Sequence, residues 1–291
     1  MGLLDIHTLE EMSKVKGVVV ESVWKDGYAV LNADNKHCVA IGERASCNLA
    51  YFSMDEHNPI IVEHCKTGGI AAIYENGYIT IKKGDWKFRV EKVTTIPLTF
   101  GGRVTFMIYN VLAATLAAYV YGFKIEDIRT SLETFIPSSA QTPGRMNIFD
   151  FKDYKVMIDF AHNADGFRGI KEFLTTIDSP YKIGIITGTG DRRDNDIREL
   201  GRISAQMFDH IIIRQDKFLR GREADDIVRL LVEGIKEENP NQSYEYVPKE
   251  IEALNHAFTL AKPGTFITAL SDVIDNAIDV VRGYLDKERG I

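Results

Sequence analysis

Val156-Met-Ile-Asp-Phe-Ala-His-Asn163 and, further on, Ile183-Gly-Ile-Ile-Thr-Gly-Thr-Gly-Asp-Arg-Arg-Asp194 decide the fold. Each is an apolar, largely β-branched run that stops at a loop of Gly, Asp, Arg or His just before a helical pattern resumes. Runs of this kind read as strands buried on both faces, and their terminal loops are where an open α/β sheet presents ligand-binding groups. A third cluster, Thr142-Pro-Gly-Arg-Met146, sits immediately before them.

Working outward, strands are predicted at about 147–151, 154–160, 182–188, 209–214, 243–247 and 265–270. From the second onward they alternate with helices near 165–177, 195–207, 223–237, 249–261 and 273–287. Such alternation implies right-handed crossovers and a doubly wound, mainly parallel, Rossmann-like sheet.

The first half is mixed α/β. Thr8 and Glu11 form a capping-box pattern opening a helix over 8–22, with Leu9, Met12, Val15 and Val19 as one apolar face. A short strand over 28–31 ends at Asn32-Ala-Asp-Asn35, and further strands are predicted at 50–53, 70–74, 78–82 and 87–93. Glu75-Asn-Gly77 joins the middle pair as a hairpin. Two helices follow, over 104–121 and 125–135; the first is rich in Ala, which suits close packing against a neighbour. Pro137-Ser-Ser-Ala-Gln-Thr-Pro-Gly144 has linker chemistry, so domains are expected over 1–140 and 141–291.

Composition narrows the function classes. With 45% apolar and 26% charged residues the chain reads as an ordinary globular protein of two domains. Its net charge is −7 and its basic residues are dispersed, which argues against a nucleic-acid or membrane-surface partner and for a small soluble substrate. Cys38, Cys47 and Cys65 match no metal or redox spacing, and this sparse odd count suits a reducing cytoplasm. No leader pattern is present, Gly2 lacks the Ser or Thr that a myristoylation signal needs at position 6, and no apolar run nears the roughly 18 residues of a membrane span.

The candidate site residues come from the loops. Arg145 places a guanidinium just after the linker, suited to phosphate. Asp159, at the end of its strand, could accept from a ribose hydroxyl, although an ordinary loop or capping carboxylate is equally compatible with its position. His162 and Asn163 share that loop. Gly188-Thr-Gly190 and Asp191-Arg-Arg193 end the next strand. The third glycine of a dinucleotide fingerprint would fall at Arg193, which weakens a nicotinamide-dependent reading. Arg214-Gln-Asp216 and Arg220-Gly-Arg222 end the fourth. Singly each is an ordinary solvated loop; their convergence on one edge favours a ligand. His7, His37, His57, His64, His210 and His256 are scattered without metal-ligand spacing, and no residue set marks a metal site or a catalytic nucleophile.

Taken together, Leu31-Asn-Ala-Asp34, Asn110-x-Leu-Ala-Ala, Thr142-Pro-Gly-Arg145, Asp159-Phe-Ala-His-Asn163 and Gly188-x-x-Asp191-Arg resemble the Mur ligase family. Ile96-Pro-Leu-Thr-Phe-Gly-Gly102, Gly190-Asp-Arg-Arg-Asp194, Phe208-Asp-His-Ile-Ile-Ile213 and Arg220-Gly-Arg222 are most similar to the cyanophycin synthetase branch. The resemblance implies ATP-dependent amide ligation with ATP and Mg²⁺: a carboxylate becomes an acyl phosphate, which an amine, arginine in that branch, attacks. It implies that Arg145 meets phosphate, Asp159 the ribose and His162 with Asn163 the nucleotide's surroundings. Asn110 and the adenine position, here Met107, would lie beside the base. A thioether lacks the paired donor and acceptor of an amide. Asp191, Arg192, Arg193, Asp216 and Arg222 would line the substrate side.

No G-x-x-x-x-G-K-[ST] loop occurs in the sequence. By resemblance the chain therefore corresponds to the latter part of a central ATP-binding domain followed by the whole C-terminal domain, and little ligase activity is expected of it alone. The alternative is a non-catalytic nucleotide-binding or assembly module that works beside a chain supplying that loop. Exposed sheet edges would favour a homo-oligomer.

Overall fold

The computed structural model describes Ile6, residues 8–217 and residues 219–290; His7 lies outside them. The chain divides into two compact units, Leu3–Ile136 and Pro137–Ile291.

In the first unit, α1 (Leu9–Glu21) starts on the expected capping box, with Thr8 and Glu11 each accepting the other's backbone N–H. Its apolar face is not where the periodicity puts it. Leu9, Val15 and Val19 are exposed and the buried positions are Gly17 and Val20. The Arg44 guanidinium lies close over Gly17, where a Cβ would stand 2.4 Å from it. A five-stranded sheet follows in the order β1 (Tyr28–Asn32), β2 (Asn48–Ser53), β3 (Ile70–Glu75), β4 (Tyr78–Lys83) and β5 (Trp86–Lys92). The first three strands are parallel and the last two antiparallel. Asn76 and Gly77, both with positive φ, make the expected β3–β4 hairpin.

Helices α2 (Lys36–Gly42) and α3 (Pro59–Lys66) cross between the parallel strands, and α4 (Thr105–Tyr121) and α5 (Ile125–Thr134) close the unit. On α4 the packing residues are Met107, Ile108, Val111, Leu112, Thr115 and Leu116. Ala114 and Ala117 are exposed while Ala113 and Ala118 are partly buried, Ala118 against the core, so the alanines as a group are not the main packing face the composition suggested. The larger side chains take the interior because burial stabilises in proportion to apolar area.

The second unit holds β6 (Asn147–Asp150), β7 (Lys155–Asp159), β8 (Lys182–Ile186), β9 (His210–Ile213), β10 (Ser243–Tyr246) and β11 (Phe266–Leu270). They form one sheet ordered β10-β9-β8-β11-β7-β6, parallel except for β6. Helices α6 (Ala164–Thr175), α7 (Asp194–Met207), α8 (Ala224–Glu238), α9 (Glu250–Leu260) and α10 (Ile274–Arg289) alternate with the strands. The fold is thus the α/β, mainly parallel architecture expected. The division falls at 136/137 rather than 140/141. The linker belongs to the second unit: Thr142 N–H donates to the Ser138 carbonyl (2.8 Å) and Arg282 Nη2 to Ser139 Oγ (2.8 Å).

Candidate functional site

The C-terminal edge of the parallel strands in the second unit carries the candidate residues, because β7, β8, β9 and β11 end there in the Asp159, Thr187, Arg214 and Ser271 loops. The Pro143–Met146 turn is pinned to this edge from several directions. Gly144 N–H donates to Asn147 Oδ1 (2.7 Å), Asn147 Nδ2 to the Thr142 carbonyl (2.9 Å), and Phe160 N–H to the Gly144 carbonyl (2.9 Å). Gly144 has φ +69° and meets Ile274 so closely that a Cβ would lie 2.6 Å from it. A glycine is required here both for the left-handed backbone and for the space.

Asp159 completes the brace. Its Oδ2 accepts from Met146 N–H (2.9 Å) and its Oδ1 from Ala161 N–H (2.7 Å), and the residue is 7% exposed. Burial pushes its carboxyl above the ordinary range, against the pull of those two amides and of Arg145 and His162. Arg145, by contrast, points outward. Its Nη1 donates to the Gly144 carbonyl (3.1 Å) and its guanidinium carbon lies 5.4 Å from the Phe160 ring centroid. It makes no ion pair among the described residues. A fixed turn therefore carries a cation that is in no ion pair among the described residues, its electrostatic pull acting on the buried Asp159 carboxyl. His162 stands beside it, its ring 4.9 Å from that of Phe160 and its Nδ1 3.0 Å from the Phe160 carbonyl oxygen. Asn163 caps α6, its Oδ1 accepting from Gly166 N–H (2.8 Å).

The β8 and β9 loops interlock. Asp191 pairs with Arg220 and stands 4.0 Å from Arg192 Nε. Burial would raise its carboxyl, but the Arg220 hydrogen bond and the two cations outweigh it and hold it below the ordinary range. Arg193 makes a two-pronged pair with Asp196, and Arg222 reaches Asp194 (2.7 Å) and two loop carbonyls. Asp216 is 3% exposed at the end of β9.

Beside it lies a cavity of about 600 Å³, lined in part by Arg214, Asp216, Lys217, Lys249, Glu250 and Asn276. Arg214 is the largest fully buried side chain, paired with Asp272 (2.5 Å) and near Glu250 (3.7 Å). Burial raises the Glu250 carboxyl, with Asp272 and Asp216 adding to it and Arg214 and the Ser271 hydroxyl opposing. Glu250, Ser271 and Asp272 were missed by sequence reasoning. The signal was present: an arginine closing Ile211-Ile-Ile213 must be buried, and a buried cation requires acids from neighbouring strand ends.

Met107 and Asn110 lie on α4 of the first unit. Met107 is 3% exposed with its sulfur 3.6 Å from Asn110 Nδ2, so it is turned into the core, whereas Asn110 is exposed. Among the described residues no group of three or more His, Cys, Asp or Glu is placed to hold a metal ion, and no helix is long and apolar enough to cross a membrane.

The model of the Mur ligase middle domain matches residues 3–118, and that of the Mur ligase glutamate ligase domain matches residues 144–272. The chain belongs to the Mur ligase family. Cyanophycin synthetase of Geminocystis herdmanii is 44% identical over 284 residues, 98% of this chain and 32% of the relative. That of Nostoc sp. is 41% identical over 290 residues, again 32% of its length. This Mur ligase family chain thus spans about a third of the curated relatives it matches. Its fold is shared with a pseudomurein peptide ligase type C from Methanothermus fervidus (TM-score 0.66, 19% identity, 97% of this chain and 61% of that one). It is shared equally with E. coli FolC in complex with DHPP and ADP (TM-score 0.66, 13% identity, 96% and 58%).

Proposed function

We propose that the chain forms the Mur-ligase portion of an ATP-dependent amide ligase of cyanophycin-synthetase type. The single observation that carries this reading is Arg145, an exposed guanidinium in no ion pair among the described residues, on a turn pinned by Asn147 and Asp159. A cation fixed before its ligand arrives is what stabilisation of a transferring phosphoryl group requires. Arg145 meets phosphate, with His162 and Asn163 on the same loop; Asp159 keeps the turn in place and reaches a ribose only through lone pairs its two amides leave free. The rim formed by Asp191, Arg192 and Asp216 takes the acceptor and the incoming amino acid.

In the reaction a substrate carboxylate oxygen attacks the γ phosphorus and the bond to ADP breaks. The amine of the second substrate, arginine in the related synthetases, then attacks the acyl carbon, phosphate leaves, and the nitrogen gives up a proton. Mg²⁺ would neutralise phosphate charge in this chemistry. The described residues build no site for it, so no step here is assigned to it.

The 291 residues contain no phosphate loop. The chain alone is therefore expected to bind ADP and to release no phosphate from ATP when given arginine and an aspartate-bearing peptide. Robust release would overturn the need for that loop, and failure to bind ADP would overturn the assignment of Arg145.

A further inference from the structure

Helices α4 and α5 of the first unit border a cavity of about 390 Å³, the size of a site for a small molecule. Its walls are mostly apolar: Ala114 and Ala118 on α4, Ile128 and Leu132 on α5, and Phe123 in the turn that joins them. The two alanines present only methyl groups, where longer side chains would fill the hollow. Phe123 is 55% exposed and its ring stacks on that of Tyr121, the centroids 5.4 Å apart.

Two polar groups on this wall stand ready for a ligand. Thr115 is 1% exposed, and its hydroxyl is buried without a hydrogen-bond partner. A helical threonine ordinarily gives that hydroxyl to a carbonyl one turn back, and here no such bond is made. Asp127 is exposed, and its carboxylate is in no ion pair among the described residues; the arginine two positions on, Arg129, pairs with Glu91 (3.6 Å). Ser131 is already engaged, its hydroxyl donating to the Asp127 carbonyl (2.8 Å).

We infer that this cavity binds a small aromatic amine that carries a ring hydroxyl. The ring packs against Ala114, Ala118, Leu132 and the Phe123 ring, which suits an aromatic body with a polar end. Thr115 Oγ1 pairs with the ring hydroxyl, and Asp127 takes the ammonium at the rim. Turning the Thr115 side chain toward the ligand breaks no existing bond. A plain hydrocarbon would leave that buried hydroxyl without a partner, the arrangement that costs most. A carboxylate ligand would meet Asp127 with like charge. The site lies apart from the chemistry proposed above and does not rest on it.

Tyramine is the probe, with phenethylamine lacking the hydroxyl and para-ethylphenol lacking the ammonium. Each is titrated into the isotopically labelled full chain, T115V, D127N and A114L, and backbone amides are followed by NMR. Tyramine is expected to bind at about millimolar strength, with saturable shifts at 114–118 and 127–132. Loss of the ring hydroxyl should weaken binding about fivefold in the unmodified chain, the scale of one hydrogen bond, and not at all in T115V. Loss of the ammonium should weaken it about threefold, the scale of an exposed ion pair, and not at all in D127N. A114L, a change at an exposed position, should abolish binding while circular dichroism shows an unchanged fold; should it misfold, the two ligand comparisons decide alone. No saturable shift with tyramine, shifts outside those segments, a hydroxyl effect undiminished in T115V, an ammonium effect undiminished in D127N, or full binding by folded A114L overturns the inference.

Discussion

At the scale of single residues the site depends on which polar groups are already engaged. Asp159 reads in the sequence as a ligand carboxylate, yet its two oxygens hold the Met146 and Ala161 amides. Its partners come from a turn that no local pattern links to it. Arg145 was legible because Pro-Gly before an arginine announces a turn, and among the described residues that cation is in no ion pair. Arg145→Gln is expected to weaken ADP binding about tenfold, one charge-assisted hydrogen bond, with no change in melting temperature, as read by calorimetry and circular dichroism. Glu250 gives a pH signature. Its carboxyl is raised above the ordinary 4.5, chiefly by burial. The folded chain therefore holds that proton more tightly than the unfolded chain, and the associated stability is complete below 4.5 and lost as pH rises through the raised value. Glu250→Gln should remove this fall, so urea midpoints measured on both proteins from pH 4 upward should shift relative to one another, the unsubstituted chain losing stability that the variant keeps. Parallel curves would show that Glu250 does not titrate in that window.

At the scale of elements, strands and helices were legible wherever pattern and burial agree. The 183–186 and 211–213 runs are strands with every residue buried, as isoleucine-rich sequence without a polar residue implies. The failures lie where a small residue controls the contact. On α1 the buried positions are Gly17 and Val20 rather than the periodic apolar set, and on α4 Ala114 and Ala117 are left outside by larger neighbours. The same principle works constructively between α7 and α8. A Cβ at Gly201 would lie 2.2 Å from the Leu231 carbonyl oxygen, and one at Gly234 1.9 Å from that of Arg198. The helices cross backbone to backbone, and Ile197, Leu200, Leu230 and Leu231 are buried along them. Gly234→Ala would ordinarily gain about 1 kcal/mol of helix propensity. Here it should instead cost a net of about 2 kcal/mol in denaturant unfolding, since overpacking against backbone outweighs that gain. A stabilised variant would show that the crossing is looser than described.

At the scale of the whole molecule, each unit has a core of its own. The cluster around Ile185, Ile267 and Val281 lies wholly in the second, and those around Leu112 and Ile73 lie in the first. Residues 137–291 are accordingly expected to fold when produced alone, with a calorimetric transition that coincides with one of those of the full chain; an unfolded piece would contradict two independent cores. The doubly wound sheet was legible because its alternation of strand and helix is long and regular. The residues that converge on its edge were legible as types, but their engagements were not, because carboxylate and guanidinium partners come from different strands. The central claim is that this edge holds a polyanion through Arg145. It is tested most directly by titrating ADP into isotopically labelled chain and following backbone amides by NMR. Saturable shifts should appear at 144–146, 160–166 and 188–193 and vanish in Arg145→Gln. Shifts confined to the opposite end of the sheet, around 207–210 and 241–243, or none at all, would contradict it.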